Sequence, residues 1–367
     1  MKKRKSSVLL IGPMPKPING VSICNELIVN KLNHFDIAVI DTANKSFNEK
    51  AGSFSLQKVV TGIKPYFKLF KIINKDIIYM TIGQTFYGVL KYYPFFLFSK
   101  LLRKEVIIHI HGNYLGKQYT QLNGIKKKFF KHILNKADKG IVLSESLIPN
   151  LSPFLAINRI YVLYNFVEEN LVNVAIERIQ NKDVSQLKIV FLSNLMTEKG
   201  ILDLLDALQK LTENNIHFTA KIAGNMDANI KDIVTKKINK NPNVNYLGVV
   251  RGEEKKELLL NSNVFIFPTY YQMEGQPIAI LEAMATGNIV LTTKHAGIPD
   301  IFSEKNGFFI EKKAPEDIYN KLRLLQQHIS DYKNMMQDNH RYVKENYKES
   351  NFLHNLAKIF KDQKCKI

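Results

Sequence analysis

At 367 residues, 45% of them apolar and 23% charged, the chain is too long for one ordinary core and too hydrophobic to stay disordered, which favours two domains of roughly 150–200 residues. Cys24 and Cys365 stand at opposite ends and support neither a disulfide framework nor a zinc site, as suits a reducing, cytoplasmic compartment. The net charge of +19 is uneven: residues 1–170 hold 25 Lys and Arg against 10 Asp and Glu, a basic half that would attract nucleic acid, an anionic membrane or phosphorylated substrates.

In chain order, "MKKRKSSVLLIGPMPKP" opens with basic residues, but its apolar run, Val8 to Ile11, is shorter than the core of about 7–15 residues in a signal peptide. No run reaches the roughly 18 apolar residues of a membrane span. "SVLLIG", "FDIAVID", "DIIYMTIG", "EVIIHIHG", "KGIVLSE" and "RIYVLYN" alternate with longer amphipathic segments. Such alternation predicts parallel strands joined by crossover helices. The pattern restarts with "LKIVFLSNL", "FTAKIAG", "VNYLGVV", "NVFIFPTY" and "NIVLTTK", so two doubly wound α/β domains are expected. Residues 1–172 would form the first and 173–344 the second, with a helix over about 345–367 packing back on the first. The polar stretch 168–186 reads as the linker.

"YYQMEGQPIAILEAMATG", residues 270–287, carries the most specific pattern. Pro277 suits the first turn of a helix and Gly287 the position past its end, predicting a helix from Pro277 to Thr286. Glu274 then lies in the loop before the helix. Glu282 lies inside it, about 7.5 Å beyond the helix start at 1.5 Å per residue. A helix N-terminus after a parallel strand favours a phosphorylated ligand, because its free N–H groups and its dipole attract anions. Within reach of such a ligand, Glu282 can accept ribose hydroxyls, and Glu274 can stabilise positive charge developing at an anomeric carbon. The spacing alone is equally a capping carboxylate beside a solvated helix face.

Together with "GIPDIF" at 297–302, this stretch resembles the signature of retaining GT-B glycosyltransferases of family 4. The resemblance runs on through "GPMPKPINGVS", "IIHIHG", "VLYNFVE", "FLSNLMTEKG" and "KIAG", covering nearly the whole chain in order. It implies two Rossmann-like domains facing across a nucleotide-sugar cleft, with Glu274 on the transferred sugar and Glu282 on the ribose. It also implies backbone contact to a diphosphate from Asn19, Gly20, Gly275, Ile278 and Ala279, and a lysine clamp at Lys199. His109 and His111 share one side of a strand, a period-two placement that would suit a metal, but no third ligand is near in sequence. His109 reads as a core histidine, and His111 matches the family's cleft histidine, the second catalytic candidate. The family pairs its lysine with an arginine where this chain has Asn194, and Gln276 and Pro277 replace a phenylalanine and glycine.

These readings lead to a metal-independent retaining glycosyltransferase without a cofactor, using a nucleoside-diphosphate sugar, UDP-sugar favoured. Its acceptor would be a glycan or lipid-linked saccharide in cell-surface polysaccharide assembly. The alternatives are a nucleotide-sugar epimerase or phosphorylase on the same fold, a noncatalytic subunit, and a basic nucleic-acid-binding protein. No nucleic-acid module is recognisable, so no nucleic acid is expected as a partner. Read at 100° per residue, Lys64, Lys68, Lys71 and Lys75 form a stripe with Phe67 beside it, and Phe96 shares an arc with Lys100, Arg103 and Lys104. Aromatics among basic residues suit the inner face of an anionic membrane, where the protein would bind peripherally.

Overall fold

The computed structural model describes residues 6–43 and 63–361. They form two compact units: one comprises the chain up to Tyr164 and from Phe352 onward, the other Asn165–Asn351. The first unit holds β1 (Ser7–Gly12), β2 (Asp36–Asp41), β3 (Ile77–Thr81), β4 (Glu105–Ile110), β5 (Lys139–Val142) and β6 (Ile160–Val162). They are parallel, in the order β2-β1-β3-β4-β5-β6. Every residue of β1, β3 and β5 is buried, as in a parallel sheet covered by helices on both faces. Phe360, at the end of the last helix (Glu349–Phe360), packs edge-on against Phe35 and Tyr79, with ring centroids 5.3 and 5.4 Å away.

The second unit holds β7 (Leu187–Leu192), β8 (Phe218–Ala223), β9 (Val244–Gly248), β10 (Val264–Phe267), β11 (Ile289–Thr293) and β12 (Gly307–Ile310). Their order is β12-β11-β10-β7-β8-β9, all parallel. Counted within the unit this is the 3-2-1-4-5-6 order of Rossmann folds, and the first unit is the 2-1-3-4-5 order extended by one strand. Both units are thus Rossmann-like and doubly wound. Each of the eleven runs named from sequence contains one of these strands. The twelfth, "GFFI", is only four residues long and followed by charged residues, so its hydrophobic signal is too brief to read.

Three local expectations are corrected. The stretch 168–186 is not a linker: it forms short helices at Glu169–Val172 and Ile176–Gln180 on the second unit. Four of its apolar residues, Leu171, Val172, Val174 and Ile179, are buried. Lys182 is buried with them, its ammonium donating to the Leu259 and Ser262 carbonyls and to Asn288 Oδ1. The compact units accordingly divide at Tyr164/Asn165, eight residues before the expected boundary. The second correction is small: the helix after Glu274 spans Ile278–Ala285, and Pro277 caps it from outside.

The third concerns the basic stripe. Lys64–Ile72 is a 3-10 helix, whose three residues per turn align positions i, i+3 and i+6. The exposed ridge is therefore Lys64, Phe67, Phe70 and Ile73, with the three apolar side chains 76%, 62% and 51% exposed. A step of 100° per residue would instead set Phe70 and Ile73 opposite the lysines. Lys75 instead is buried against Asp36, with N–O 2.5 Å, and Lys71 donates to the Val39 carbonyl. In the neighbouring helix Tyr93–Leu101, Phe96 is fully buried while Leu97 and Leu101 are exposed. Lys100 is paired with Asp138, and Arg103 is exposed. No described helix is long and apolar enough to cross a membrane.

Candidate active site

In an open parallel sheet, ligands bind beyond the carboxyl ends of the strands where the winding direction reverses. In the second unit that point lies between β7 and β10, and the two loops that leave these strands carry Lys199 and Glu274. After β7 the chain makes a short 3-10 turn, Thr197–Lys199, and enters the helix Ile201–Glu213 through Gly200. Gly200 has φ +77°, and a Cβ there would meet the Pro268 carbonyl oxygen at 2.4 Å. Only glycine combines that backbone with that approach. The Tyr270 amide then donates to the Glu198 carbonyl at 2.8 Å, tying the loops together.

The tie brings Lys199 Nζ to 2.5 Å from Glu274 Oε2, both side chains largely buried. Thr269 Oγ1 donates to the same oxygen at 3.3 Å. The ammonium also lies over the Phe267 and Tyr271 rings, 5.1 and 5.0 Å from their centroids. Burial and then the Glu274 charge push the Tyr271 phenol up. Three groups, the Thr269 hydroxyl and the Phe267 and Tyr271 rings, therefore hold one cation–carboxylate pair at the mouth of the sheet. Removing either partner of a buried pair strands the other charge, which is what makes such pairs costly to break.

A second layer fixes the loop that carries Glu274. His295 Nε2 lies 2.8 Å from the Tyr271 carbonyl, and the Gly297 amide donates to the Gly275 carbonyl at 3.0 Å. Burial lowers the pKa of His295, favouring the neutral ring. Asn165 clamps the other side, its amide N–H donating to Gln276 Oε1 at 2.6 Å and its side-chain NH₂ to the Gln276 carbonyl. Gln276, a departure from the family pattern, thus has a local partner. Ile278 and Ala279 follow as the first helical residues, with N–H groups that the helix itself cannot use.

One turn deeper, Glu282 Oε1 accepts from Lys255 Nζ at 2.6 Å, and Lys255 also reaches Glu168 at 3.3 Å. Burial would lower the Lys255 pKa, but the two carboxylates outweigh it and raise it. Glu282 Oε2 has no partner among the described residues and remains available to a hydroxyl donor. The structure thus joins Lys199 to Glu274, places Gly275, Ile278 and Ala279 on the same loop, and sets Glu282 behind them. Asn194 sits exposed on the Lys199 loop. Sequence reasoning missed Lys255 and His295. Lys255 looks like one more charge in "GEEKKE", and His295 lies outside any spacing rule.

In the first unit, Asn19 caps the helix Gly20–Lys31: its side chain accepts from the Ser22 amide and Ser22 Oγ accepts from the Asn19 amide. Asn19 therefore spends its side chain on the cap, and Gly20 is the exposed first helical residue. His111 follows β4 directly. Burial lowers its pKa to about 3, so the ring is neutral and can exchange hydrogen bonds without carrying charge.

Residues 174–349 match the family described as Glycosyl transferases group 1. Sulfoquinovosyl transferase SQD2 of Arabidopsis thaliana is 28% identical over 152 residues, 40% of this chain and 28% of the relative. Amylovoran biosynthesis glycosyltransferase AmsK of Erwinia amylovora is 29% identical over 121 residues, 31% of this chain and 30% of the relative. The matched stretches thus span under a third of these relatives' own lengths. Among solved structures, HepE of Anabaena in complex with UDP-glucose superposes with a TM-score of 0.74 at 15% identity, over 97% of this chain and 99% of that one. That likeness concerns the fold, and the family match falls on the unit that holds the Lys199–Glu274 pair. Residues 174–349 are thus similar to the group 1 glycosyl transferases, and the chain has the two Rossmann-like units of the GT-B fold.

Proposed function

We propose that the protein is a retaining glycosyltransferase that moves a sugar from a nucleoside-diphosphate sugar, a UDP-sugar by preference, to a saccharide acceptor in cell-surface polysaccharide assembly. The observation that carries this reading is the Lys199–Glu274 pair, held beside a helix N-terminus at the switch point of a Rossmann-like sheet. Breaking the bond to the anomeric carbon leaves positive charge on the sugar and negative charge on the diphosphate. Glu274 meets the first; Lys199 and the Ile278 and Ala279 amides meet the second. Glu282 accepts the ribose hydroxyls. His111, a neutral ring in the first unit, is assigned to a sugar hydroxyl, and the Gly20 amide to the diphosphate; Asn19, whose side chain and amide are both spent on the helix cap, orients that loop instead. Lys199 and the helix end supply electrostatic work that a cation performs in other enzymes, so transfer proceeds without a metal at the diphosphate. That HepE was solved with UDP-glucose and that AmsK is named for amylovoran biosynthesis support the donor and the pathway class.

The test is a panel of UDP-, GDP- and dTDP-sugars read by thermal shift, followed by NMR of the anomeric configuration of the product. A shift with one donor and a product of unchanged configuration is expected. Inverted product, or donor conversion without any acceptor, overturns the reading.

At a membrane surface the contact falls to the ridge Phe67, Phe70 and Ile73 with Lys64 and Lys68 beside it, because Phe96 and Lys75, expected there too, are buried. Two exposed aromatics among lysines fit the headgroup region of an anionic bilayer, where each basic residue contributes about 1 kcal/mol. Replacing Phe67 and Phe70 by Ser is expected to abolish co-sedimentation with phosphatidylserine vesicles while leaving the thermal shift by donor intact. Undiminished co-sedimentation, or none by the unmodified protein at low salt, overturns it.

A further inference from the structure

In the first unit three side chains from distant parts of the chain meet: Cys24 on the helix Gly20–Lys31, His109 in β4 and His111 just beyond it. Their ligand atoms all lie within 4.8 Å of one another, and the two imidazole rings are 4.0 Å apart by centroid. Nε2 of His109 and Nε2 of His111 are both sealed from solvent and make no hydrogen bond. A buried polar atom without a partner has lost its water and gained nothing in return, so two of them side by side need a physical account. Burial holds both rings neutral and the Cys24 thiol protonated, so no charge among them supplies the missing interactions.

A transition-metal ion supplies them. Neutral imidazole nitrogens and a cysteine sulfur are the donor set of a borderline-soft cation, and three protein ligands leave a fourth position for water. His109 Nδ1 lies 2.6 Å from the Tyr79 hydroxyl. With the Nδ1 proton directed at that oxygen, Nε2 keeps its lone pair for the ion, the arrangement by which outer partners orient metal-bound histidines. Tetrahedral ligands of zinc stand about 3.3–3.6 Å apart, so side-chain rotations of about an ångström bring the three atoms onto one ion. The His111 residue is half-buried, which gives the ion a way in.

We propose that Cys24, His109 and His111 form a binding site for a divalent transition metal, zinc in preference to the harder magnesium or calcium. Binding forms the metal–sulfur bond and releases the thiol proton to solvent, so loading is favoured by rising pH. The three ligands belong to the first unit, and none of them is a member of the Lys199–Glu274 pair. Holding His111 by Nε2 would withdraw that nitrogen from any sugar contact. This consequence rests on the proposed role of His111, whereas metal binding does not.

The probe is Co²⁺ added to the reduced full-length protein, read by the thiolate-to-cobalt charge-transfer band and the visible bands of tetrahedral cobalt. One equivalent is expected to bind, to be displaced by Zn²⁺, and to persist in Cys365→Ser, which removes the only other thiol. Cys24→Ala should lose the charge-transfer band, and His111→Gln should weaken binding at least 100-fold. A folded unmodified protein without the band, or a band retained by Cys24→Ala, overturns the proposal. If Cys24→Ala does not fold, unchanged cobalt binding by the half-buried variant His111→Gln overturns it equally. Donor-induced thermal shifts, measured in parallel, report the transferase reading independently.

Discussion

Glu274→Gln is expected to lower the rate of sugar transfer by about 10², a loss of about 2.7 kcal/mol of transition-state stabilisation. The amide keeps the shape of the carboxylate and an oxygen for the Thr269 hydroxyl and the Lys199 ammonium, so the loop is expected to stay in place. What disappears is the negative charge beside the anomeric carbon. Lys199 keeps an acceptor there but is no longer neutralised by a carboxylate, so more of its charge is available to the diphosphate. Donor affinity should therefore stay within about threefold or tighten, while kcat falls. Single-turnover kinetics with saturating donor separate the two. Near-normal turnover would show that Glu274 only anchors Lys199.

Glu282→Ala is expected to raise the dissociation constant of the free nucleoside diphosphate about tenfold, equivalent to 1.4 kcal/mol for a lost hydrogen-bonded carboxylate. Here the geometry adds a second effect. Lys255 is largely buried and would keep only Glu168, at 3.3 Å. The variant should therefore also lose about 1–3 kcal/mol of stability in denaturant titration, because a buried ammonium has lost its nearer carboxylate. Glu282→Gln retains an acceptor for Lys255 and should recover most of the stability but little of the affinity. Calorimetry showing unchanged affinity in both variants would refute the ribose role. Parallel losses of affinity and stability in both would make Glu282 a structural residue.

Eleven of the twelve strands are legible in the sequence because buried parallel strands are written as short unbroken apolar runs, such as "SVLLIG" and "NVFIFP". The Glu274 loop is legible because proline and glycine punctuate its helix. Two kinds of feature are not. One is the local winding of the backbone: "KPYFKLFKI" supports a 100° step as well as a 120° step, and the choice decides whether Lys75 or Phe70 reaches solvent. The other is pairing between distant positions. Lys255 with Glu282, His295 with Tyr271, and Cys24 with His109 and His111 have no fixed spacing, since the sheet order brings them together. Lys182 shows the converse: it reads as a solvated charge, yet carbonyl oxygens take the place of water around it.

Phe360 closes the core of the first unit, packed on Phe35 and Tyr79, while Lys139 Nζ donates to the Ile359 carbonyl. These contacts join residues separated by the roughly 190 residues of the second unit. On the ribosome, where synthesis advances at about 5–20 residues per second, the first six strands are made about 10–40 s before Phe360 exists. During that interval Phe35 and Tyr79 lack their covering ring. The second unit meets no such delay, since all of its strands and their crossover helices emerge as one continuous stretch. The later-made unit can therefore complete its core before the earlier one, and the waiting sheet is the part of the newborn chain most in need of a chaperone.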